Sequence, residues 1–126
     1  MDALVTSIIT TCKRPPSLVT RALMSVMAQT YPYIQIIVVD DSPADYPEKE
    51  NVCKAILKFC PQVLYISYGE NCGAPAVRNA GIESAEGEFI AFLDDDDEWL
   101  PEKTEKLLEG FTNDKIALVY GRMMLS

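Results

Sequence analysis

The chain has 126 residues, enough for one domain with a modest core, and its 48% hydrophobic and 24% charged residues are ordinary for a globular protein. Its formal net charge of −8 argues against a nucleic-acid partner, because a phosphate backbone is bound by clustered lysine and arginine. No apolar run is long enough to span a bilayer, and the N-terminus lacks the pattern of a signal peptide.

The cysteine and histidine content limits the possible chemistry. The four cysteines include no C-x-x-C pair, and the chain has no histidine, so we expect neither a zinc site nor a histidine-activated nucleophile. Any general acid or base is then expected to be a carboxylate or one of the side chains more rarely used for this role. Without a secretion signal, the thiols are expected to be reduced and the protein cytoplasmic.

Apolar runs and helical spacings alternate along the chain. Runs rich in β-branched residues predict five strands, at residues 3–9, 34–39, 63–67, 88–93 and 116–120. Apolar stripes predict four helices, at residues 17–29, 47–59, 74–85 and about 101–111. Pro16 suits the first turn of the first helix, whereas Gly81 weakens the third. This order predicts one α/β domain, a three-layer α/β/α sandwich with a mostly parallel, Rossmann-like sheet.

Five consecutive carboxylates, at residues 94–98, follow the fourth predicted strand. Two like charges about 5 Å apart repel by roughly 3 kcal/mol at an effective dielectric constant of about 20, and a divalent cation would relieve that repulsion. Hard cations such as Mg²⁺ and Mn²⁺ prefer carboxylate oxygens and share their coordination shell with phosphates. The alternative is a solvated acidic loop that caps the helix beginning near Pro101.

A second acidic pair, Asp40 and Asp41, ends the second predicted strand. In a parallel sheet both acidic segments lie at the carboxyl edge, together with the loops at residues 10–14 and 69–73, and ligands of open α/β sheets bind at that edge. Taken alone, Asp40-Asp41-Ser42 fits a helix cap or an Asx turn better than a binding site, and only its convergence with the other loops favours a site. The glycine-rich phosphate loops of common nucleotide-binding proteins are absent, so phosphates would be neutralised by a metal and by Arg78.

Several segments, taken in order, resemble the start of family 2 glycosyltransferases with the GT-A fold. They lie at residues 5–14, 25–31, 36–42, 71–73, 78–81, 85–99 and 101–103. The resemblance covers nearly the whole chain in one register. It implies a donor-binding domain over residues 1–126, the N-terminal portion of a longer enzyme. That enzyme would transfer a sugar, with inversion, from a UDP-linked donor to a saccharide, a lipid-linked or another hydroxyl acceptor.

The resemblance also implies roles for residues at the base and the diphosphate. Thr10, Thr11 and Cys12 match the first loop of the family, beside the base. Asp41 matches the acid that hydrogen-bonds the uracil edge, and Arg78 matches a basic residue near the base and the diphosphate.

The acidic run matches the D-x-D motif of the family. The resemblance implies that Asp96 binds the metal, Mn²⁺ or Mg²⁺, and that Asp94 and Asp95 contact the ribose. Residues 97–98 are expected to be solvated or capping, and Trp99 is expected in the core. Asn71 and Gly73 are expected to shape a loop.

The chain departs from the family pattern at two positions and lacks one function. Cys12 replaces an aromatic residue that often stacks on the base, and Lys13 replaces a common asparagine. The catalytic base of the family is expected beyond Ser126. The expected location is the cytoplasm, with a peripheral position at the inner face of a membrane as the alternative. The alternative function is a metal-dependent nucleotide-binding module without transfer activity. A receiver domain fits poorly, because its acids follow strands one and three, and the G-T-R loop of sugar nucleotidyltransferases is absent.

Overall fold

The structure is a computed structural model that describes residues 3–67, 74–110, 116–119 and 122–125. The strands are β1 (Val5–Thr11), β2 (Ile34–Asp40), β3 (Leu64–Ser67), β4 (Phe89–Asp94), β5 (Ile116–Val119) and β6 (Arg122–Leu125). The helices are α1 (Pro16–Met27), α2 (Lys49–Phe59), α3 (Ala74–Ser84) and α4 (Lys103–Glu109). Pro16 opens α1, as its position in the sequence predicts.

The strands form one six-stranded sheet in the order β3-β2-β1-β4-β6-β5. Neighbouring strands are parallel except for β5, which pairs antiparallel with β6 at the edge. The predicted α/β fold with a mostly parallel sheet is therefore confirmed. The strand β6 was not predicted, because the four residues of Arg122–Leu125 include no β-branched or aromatic side chain.

The core lies on both faces of the sheet. On one face, side chains of β1 such as Val5 and Ile9 pack with α1, α2 and α4 in a single cluster. On the other face, Ile8 packs with α3 residues such as Val77 and Ile82. The central strands are buried on both sides and have helices in front and behind, which explains their continuous apolar runs. No helix in the described part of the chain is long and apolar enough to cross a membrane.

Gly81 does not interrupt α3 but brings it close to the sheet. A Cβ atom at Gly81 would lie 2.8 Å from Cγ2 of Ile8, closer than carbon atoms normally approach. The glycine therefore allows the helix to pack directly on the central strand, and this contact outweighs its low helix propensity.

Two predicted boundaries differ in a way that matters for the site. The strand β1 includes Thr10 and Thr11, which were expected in a loop, because β-branched threonines continue the pairing with β2 and β4. The helices α2 and α4 begin two residues later than predicted, at Lys49 and Lys103. A turn precedes each helix: the backbone N–H of Lys49 donates to the carbonyl of Tyr46, and that of Lys103 donates to the carbonyl of Leu100.

Candidate donor-binding site

Three parallel strands end at the same level and form the floor of the candidate site. Thr10 at the end of β1 lies opposite Asp94 at the end of β4. Thr11 lies opposite Asp40 at the end of β2. The expected meeting of the two acidic segments at one edge of the sheet is therefore confirmed in the geometry. The third predicted loop, at residues 69–73, lies outside the described residues and includes Asn71 and Gly73.

Asp95 is the buried member of the acidic run, with only 6% of its surface exposed. Its Oδ2 atom accepts a hydrogen bond of 2.8 Å from the Thr11 hydroxyl. The same oxygen lies 3.3 Å from Nε of Arg14. A buried carboxylate needs such donors, because without them its desolvation would cost several kcal/mol. Asp95 therefore joins the acidic run to the end of β1 and to the β1–α1 loop.

Asp96 has the opposite environment, since 60% of its side chain is exposed. A terminal nitrogen of Arg14 lies 4.0 Å from its Oδ2 atom, a long contact. Its backbone carbonyl accepts a hydrogen bond of 3.4 Å from Arg21, which also forms an ion pair of 3.0 Å with Glu98. The carboxylate of Asp96 is therefore the accessible one beside Arg14.

The last two acids of the run, Asp97 and Glu98, lie at the surface. The Oδ1 atom of Asp97 accepts a hydrogen bond of 3.0 Å from the backbone N–H of Glu98, and both residues are exposed. Their expected solvated position is confirmed. Trp99 is 6% exposed and belongs to the larger core cluster, which confirms its predicted core position.

The segment Asp40-Asp41-Ser42 is a buried turn at the end of β2. Asp40 accepts hydrogen bonds from the backbone N–H of Ser42, at 2.9 Å, and from the hydroxyl of Tyr65. The Asx-turn interpretation thus holds for Asp40. The backbone N–H of Asp41 donates to the carbonyl of Thr11 at 2.9 Å, so that this turn is bonded to the end of β1. Asp41 itself is 4% exposed.

The Asp40 carboxylate changes the ionisation of its neighbour. Burial raises the pKa of the Tyr65 hydroxyl, and the hydrogen bond to Asp40 and the charge of Asp40 raise it further. The tyrosine therefore remains protonated, and donates to Asp40, well above neutral pH.

The β1–α1 loop, residues 12–15, lies beside the turn that follows β2. Burial raises the pKa of the Cys12 thiol, and the nearby carboxylate of Asp41 adds to the effect, so the thiol is neutral at physiological pH. Lys13 has a φ of 55°, in the left-handed region that glycine and asparagine tolerate best. Its backbone N–H donates to the Ser42 hydroxyl at 2.7 Å, which holds the loop against the Asp40-Asp41-Ser42 turn.

Arg78 lies on the opposite face of the sheet from Asp95. The central carbon of its guanidinium group is 5.6 Å from the centroid of the Phe92 ring, a cation–π contact. Phe92 precedes Asp94 by two residues on β4, so Arg78 is held near the carboxyl edge of the sheet.

Gln29 is a supporting residue to which the sequence analysis gave no role. Its side-chain amide donates to the carbonyl of Leu100 at 2.8 Å, and its carbonyl accepts bonds from the backbone and hydroxyl of Thr104. These bonds attach the segment after the acidic run to the end of α1. The sequence does contain a sign of this role: Gln29 is a polar residue at the position that continues the apolar stripe of Ala22 and Val26.

The metal-binding capacity of the site rests on few ligands. Among the described residues, no group of three carboxylate, cysteine or histidine side chains is arranged to hold an ion. Asp96 offers a hard, exposed carboxylate of the kind that Mg²⁺ and Mn²⁺ use when phosphates and water complete the shell. The carboxylate ligand therefore fits a divalent cation that binds together with a diphosphate.

The structural comparisons define the class of protein. A mannosyltransferase from Pyrobaculum calidifontis, solved in complex with GDP-Man and Mn²⁺, matches 92% of this chain and 34% of its own, with a TM-score of 0.77 and 21% identity. S. aureus TarS matches 94% of this chain and 22% of its own, with a TM-score of 0.69 and 25% identity. The chain thus has the GT-A fold of glycosyltransferases.

The sequence comparisons identify the family. The family described as Glycosyl transferase family 2 matches residues 6–126, and the chain belongs to this family. The colanic acid biosynthesis glycosyl transferase WcaA of Escherichia coli, a putative enzyme by its name, is 39% identical over 70% of this chain and 31% of its own length. The Escherichia coli enzyme UDP-Glc:alpha-D-GlcNAc-diphosphoundecaprenol beta-1,3-glucosyltransferase WfgD is 31% identical over 96% of this chain and 46% of its own length. The chain therefore spans 31% of the length of WcaA and 46% of the length of WfgD.

Proposed function

We propose that this chain is the donor-binding part of an inverting, metal-dependent glycosyltransferase that uses a UDP-sugar. The observation that carries the proposal is the common edge of β1, β2 and β4, which brings Thr11, Asp41 and the acidic run together. The relative WfgD, which aligns over 96% of the chain, is named for a UDP-Glc donor. Its name also supports a lipid-linked acceptor as one of the candidates.

Each side chain of the edge has a proposed task in binding the donor. Asp41 accepts the N–H of uracil, beside Thr10, Thr11 and Cys12. Asp94, at the end of β4, and the adjacent Asp95 contact the ribose. Arg78, on the other face, offers a positive charge to the base and the diphosphate.

The proposed reaction is a single displacement at the anomeric carbon. Asp96 would hold the divalent cation, Mn²⁺ or Mg²⁺, which when bound neutralises the leaving diphosphate. A carboxylate is proposed to accept the proton of the acceptor hydroxyl, as the resemblance to the family implies. We propose that this base lies outside the 126 residues, and that these residues bind the donor without transferring the sugar.

Calorimetry of UDP binding tests the donor and metal parts of the proposal. We expect UDP to bind with Mn²⁺ present, and Asp96→Asn to weaken binding by about tenfold, or about 1.4 kcal/mol. The matched control is Asp97→Asn, which removes the same charge from the next position, where the side chain bonds to the backbone of Glu98. Equal UDP affinity with and without a chelator would refute the metal role.

A transfer assay tests the proposed location of the base. The 126-residue chain and a longer form of the protein are incubated with UDP-glucose, UDP-galactose and UDP-N-acetylglucosamine and a panel of acceptors. We expect product, with inverted configuration, only from the longer form. If neither form transfers sugar although both bind UDP, the alternative of a nucleotide-binding module is favoured.

A further inference from the structure

Arg14 occupies a position between the buried and the exposed carboxylate of the acidic run. Its Nε atom is 3.3 Å from Oδ2 of Asp95, and a terminal nitrogen is 4.0 Å from Oδ2 of Asp96. A guanidinium group has donors on both sides of a planar fork and can serve two carboxylates at once. One positive charge therefore lies next to both acids.

The two contacts differ in strength. The Asp95 side chain is 9% exposed and its Oδ2 atom also accepts the hydrogen bond from Thr11, so its contact with Arg14 is held in place. The Asp96 side chain is 60% exposed, and its contact at 4.0 Å is too long for a hydrogen bond. Arg14 is thus fixed by Asp95, while Asp96 can exchange the arginine for another cation.

We propose that Arg14 is a resident counter-ion of the site, one that opposes the binding of a free divalent cation at Asp96. The inference rests on the proposed function, in which Asp96 is the metal ligand. In the protein without donor, the charge of Arg14 offsets that of Asp96 and repels a cation beside it. A bound diphosphate brings negative charge that Arg14 can face, and the repulsion is then offset.

The consequence is that metal and nucleotide bind cooperatively. Because Arg14 penalises the metal alone more than the metal with diphosphate, each ligand raises the affinity of the site for the other by the same factor. Asp95, held by Thr11 and Arg14, is a positioning residue in this arrangement: it keeps the arginine beside Asp96.

Arg21 provides a matched control for the charge of Arg14. Its side chain is 49% exposed, close to the 44% of Arg14, and it also lies beside the acidic run. Its ion pair is with Glu98, and its contact with Asp96 is through the backbone carbonyl. Replacing Arg21 removes the same charge from the region without freeing the Asp96 carboxylate.

The experiment measures Mn²⁺ affinity without nucleotide, from the electron paramagnetic resonance signal of free Mn²⁺, in the wild type, Arg14→Gln and Arg21→Gln. Removing a unit positive charge about 5 Å from a divalent ion, partly screened by salt, predicts about five- to tenfold tighter binding in Arg14→Gln. Arg21→Gln is expected to stay within about twofold of the wild type, since its charge is paired elsewhere. Arg14→Lys retains the charge and is expected to resemble the wild type, and circular dichroism reports whether each variant is folded.

A second titration measures the same affinities with UDP present. The factor by which UDP raises Mn²⁺ affinity is expected to fall in Arg14→Gln and to be unchanged in Arg21→Gln. The inference would be overturned if folded Arg14→Gln bound Mn²⁺ without nucleotide no more tightly than the wild type does. It would also be overturned if Arg21→Gln gained as much Mn²⁺ affinity as Arg14→Gln. If wild-type protein binds no Mn²⁺ even with UDP, the proposed metal site itself fails. If it does bind Mn²⁺ with UDP and Arg14→Gln shows no gain, only the role of Arg14 fails.

Discussion

The hydroxyl of Thr11 donates a hydrogen bond of 2.8 Å to Oδ2 of Asp95, a residue 84 positions further along the chain. Both residues are at least 94% buried, so the bond forms away from water at the junction of β1 and the acidic run. This bond attaches Asp95, the buried acid of the run, to the end of β1.

Thr11→Val tests the contribution of that bond. Hydrogen bonds to charged groups contribute about 1.5–3 kcal/mol, and we expect the free energy of unfolding in urea to fall by that amount. The control is a double-mutant cycle with Asp95→Ala, which removes the acceptor; two residues in contact should then give a non-additive loss. Strictly additive losses would show that the two side chains do not interact.

Asp41→Ala tests the proposed recognition of the base. A site built to pair a polar edge discriminates strongly against a ligand that leaves it unpaired, so we expect the wild type to bind UDP better than ADP. We expect Asp41→Ala to remove this preference, as measured by calorimetry. The control is Asp45→Ala, which removes an exposed acid from the same connection and should retain the preference. An unchanged ratio of UDP to ADP affinity in Asp41→Ala would argue against the role.

Lys13→Gly is expected to stabilise the protein. The backbone at Lys13 is left-handed, with φ of 55°, a conformation that destabilises a residue with a Cβ atom by about 1–2 kcal/mol. Glycine avoids this strain, but it also raises the entropy of the unfolded chain, which offsets part of the gain. We therefore expect a gain of about 0.5–1 kcal/mol in the free energy of unfolding. Lys13→Ala retains the Cβ atom and should show no gain, and equal effects of the two substitutions would contradict the explanation.

Ser7→Ala tests a buried hydroxyl in the middle of β1. Ser7 is 0% exposed, and its Oγ atom has no hydrogen-bond partner among the described residues. Removing an unsatisfied buried hydroxyl should leave stability unchanged or raise it by about 1 kcal/mol. The neighbouring Thr6 hydroxyl donates to Gln35 and accepts from the backbone of Gly87, so Thr6→Val should cost about 1–3 kcal/mol. A loss of stability in Ser7→Ala would show that the hydroxyl is satisfied, for example by water.

Tyr65→Phe tests the raised pKa of Tyr65 through the pH dependence of stability. The pKa is higher in the folded than in the unfolded protein, chiefly through burial and then through the bond to Asp40. The contribution of the tyrosine is therefore complete below the unfolded pKa of about 10 and is lost as the pH rises above it. We expect Tyr65→Phe to be less stable at pH 8, because Asp40 loses a donor, but to lose less stability than the wild type above about pH 10. Parallel declines of the two proteins in urea unfolding would contradict this.

Much of the architecture could be predicted from the sequence, because it depends on local patterns. Continuous apolar runs separated by helical stripes indicate a parallel sheet with helices on both faces. The acids after two of these strands are then expected at one edge of the sheet. Asp40 ends β2 and Asp94 ends β4, the two strands that pair with β1 on either side.

The different environments of Asp95 and Asp96 were decided by the tertiary structure alone. The two residues are chemically identical neighbours, and no local pattern distinguishes them. Asp95 is buried because Thr11 and Arg14, more than 80 positions away, supply donors there, whereas Asp96 points to solvent. Gln29 likewise acquires its role only when α1 lies beside the segment that includes Leu100 and Thr104. Hydrogen bonds between residues far apart in the sequence form only where the fold brings those residues together, and a local sequence pattern does not give that proximity. A charged side chain is buried only where such bonds compensate its loss of hydration.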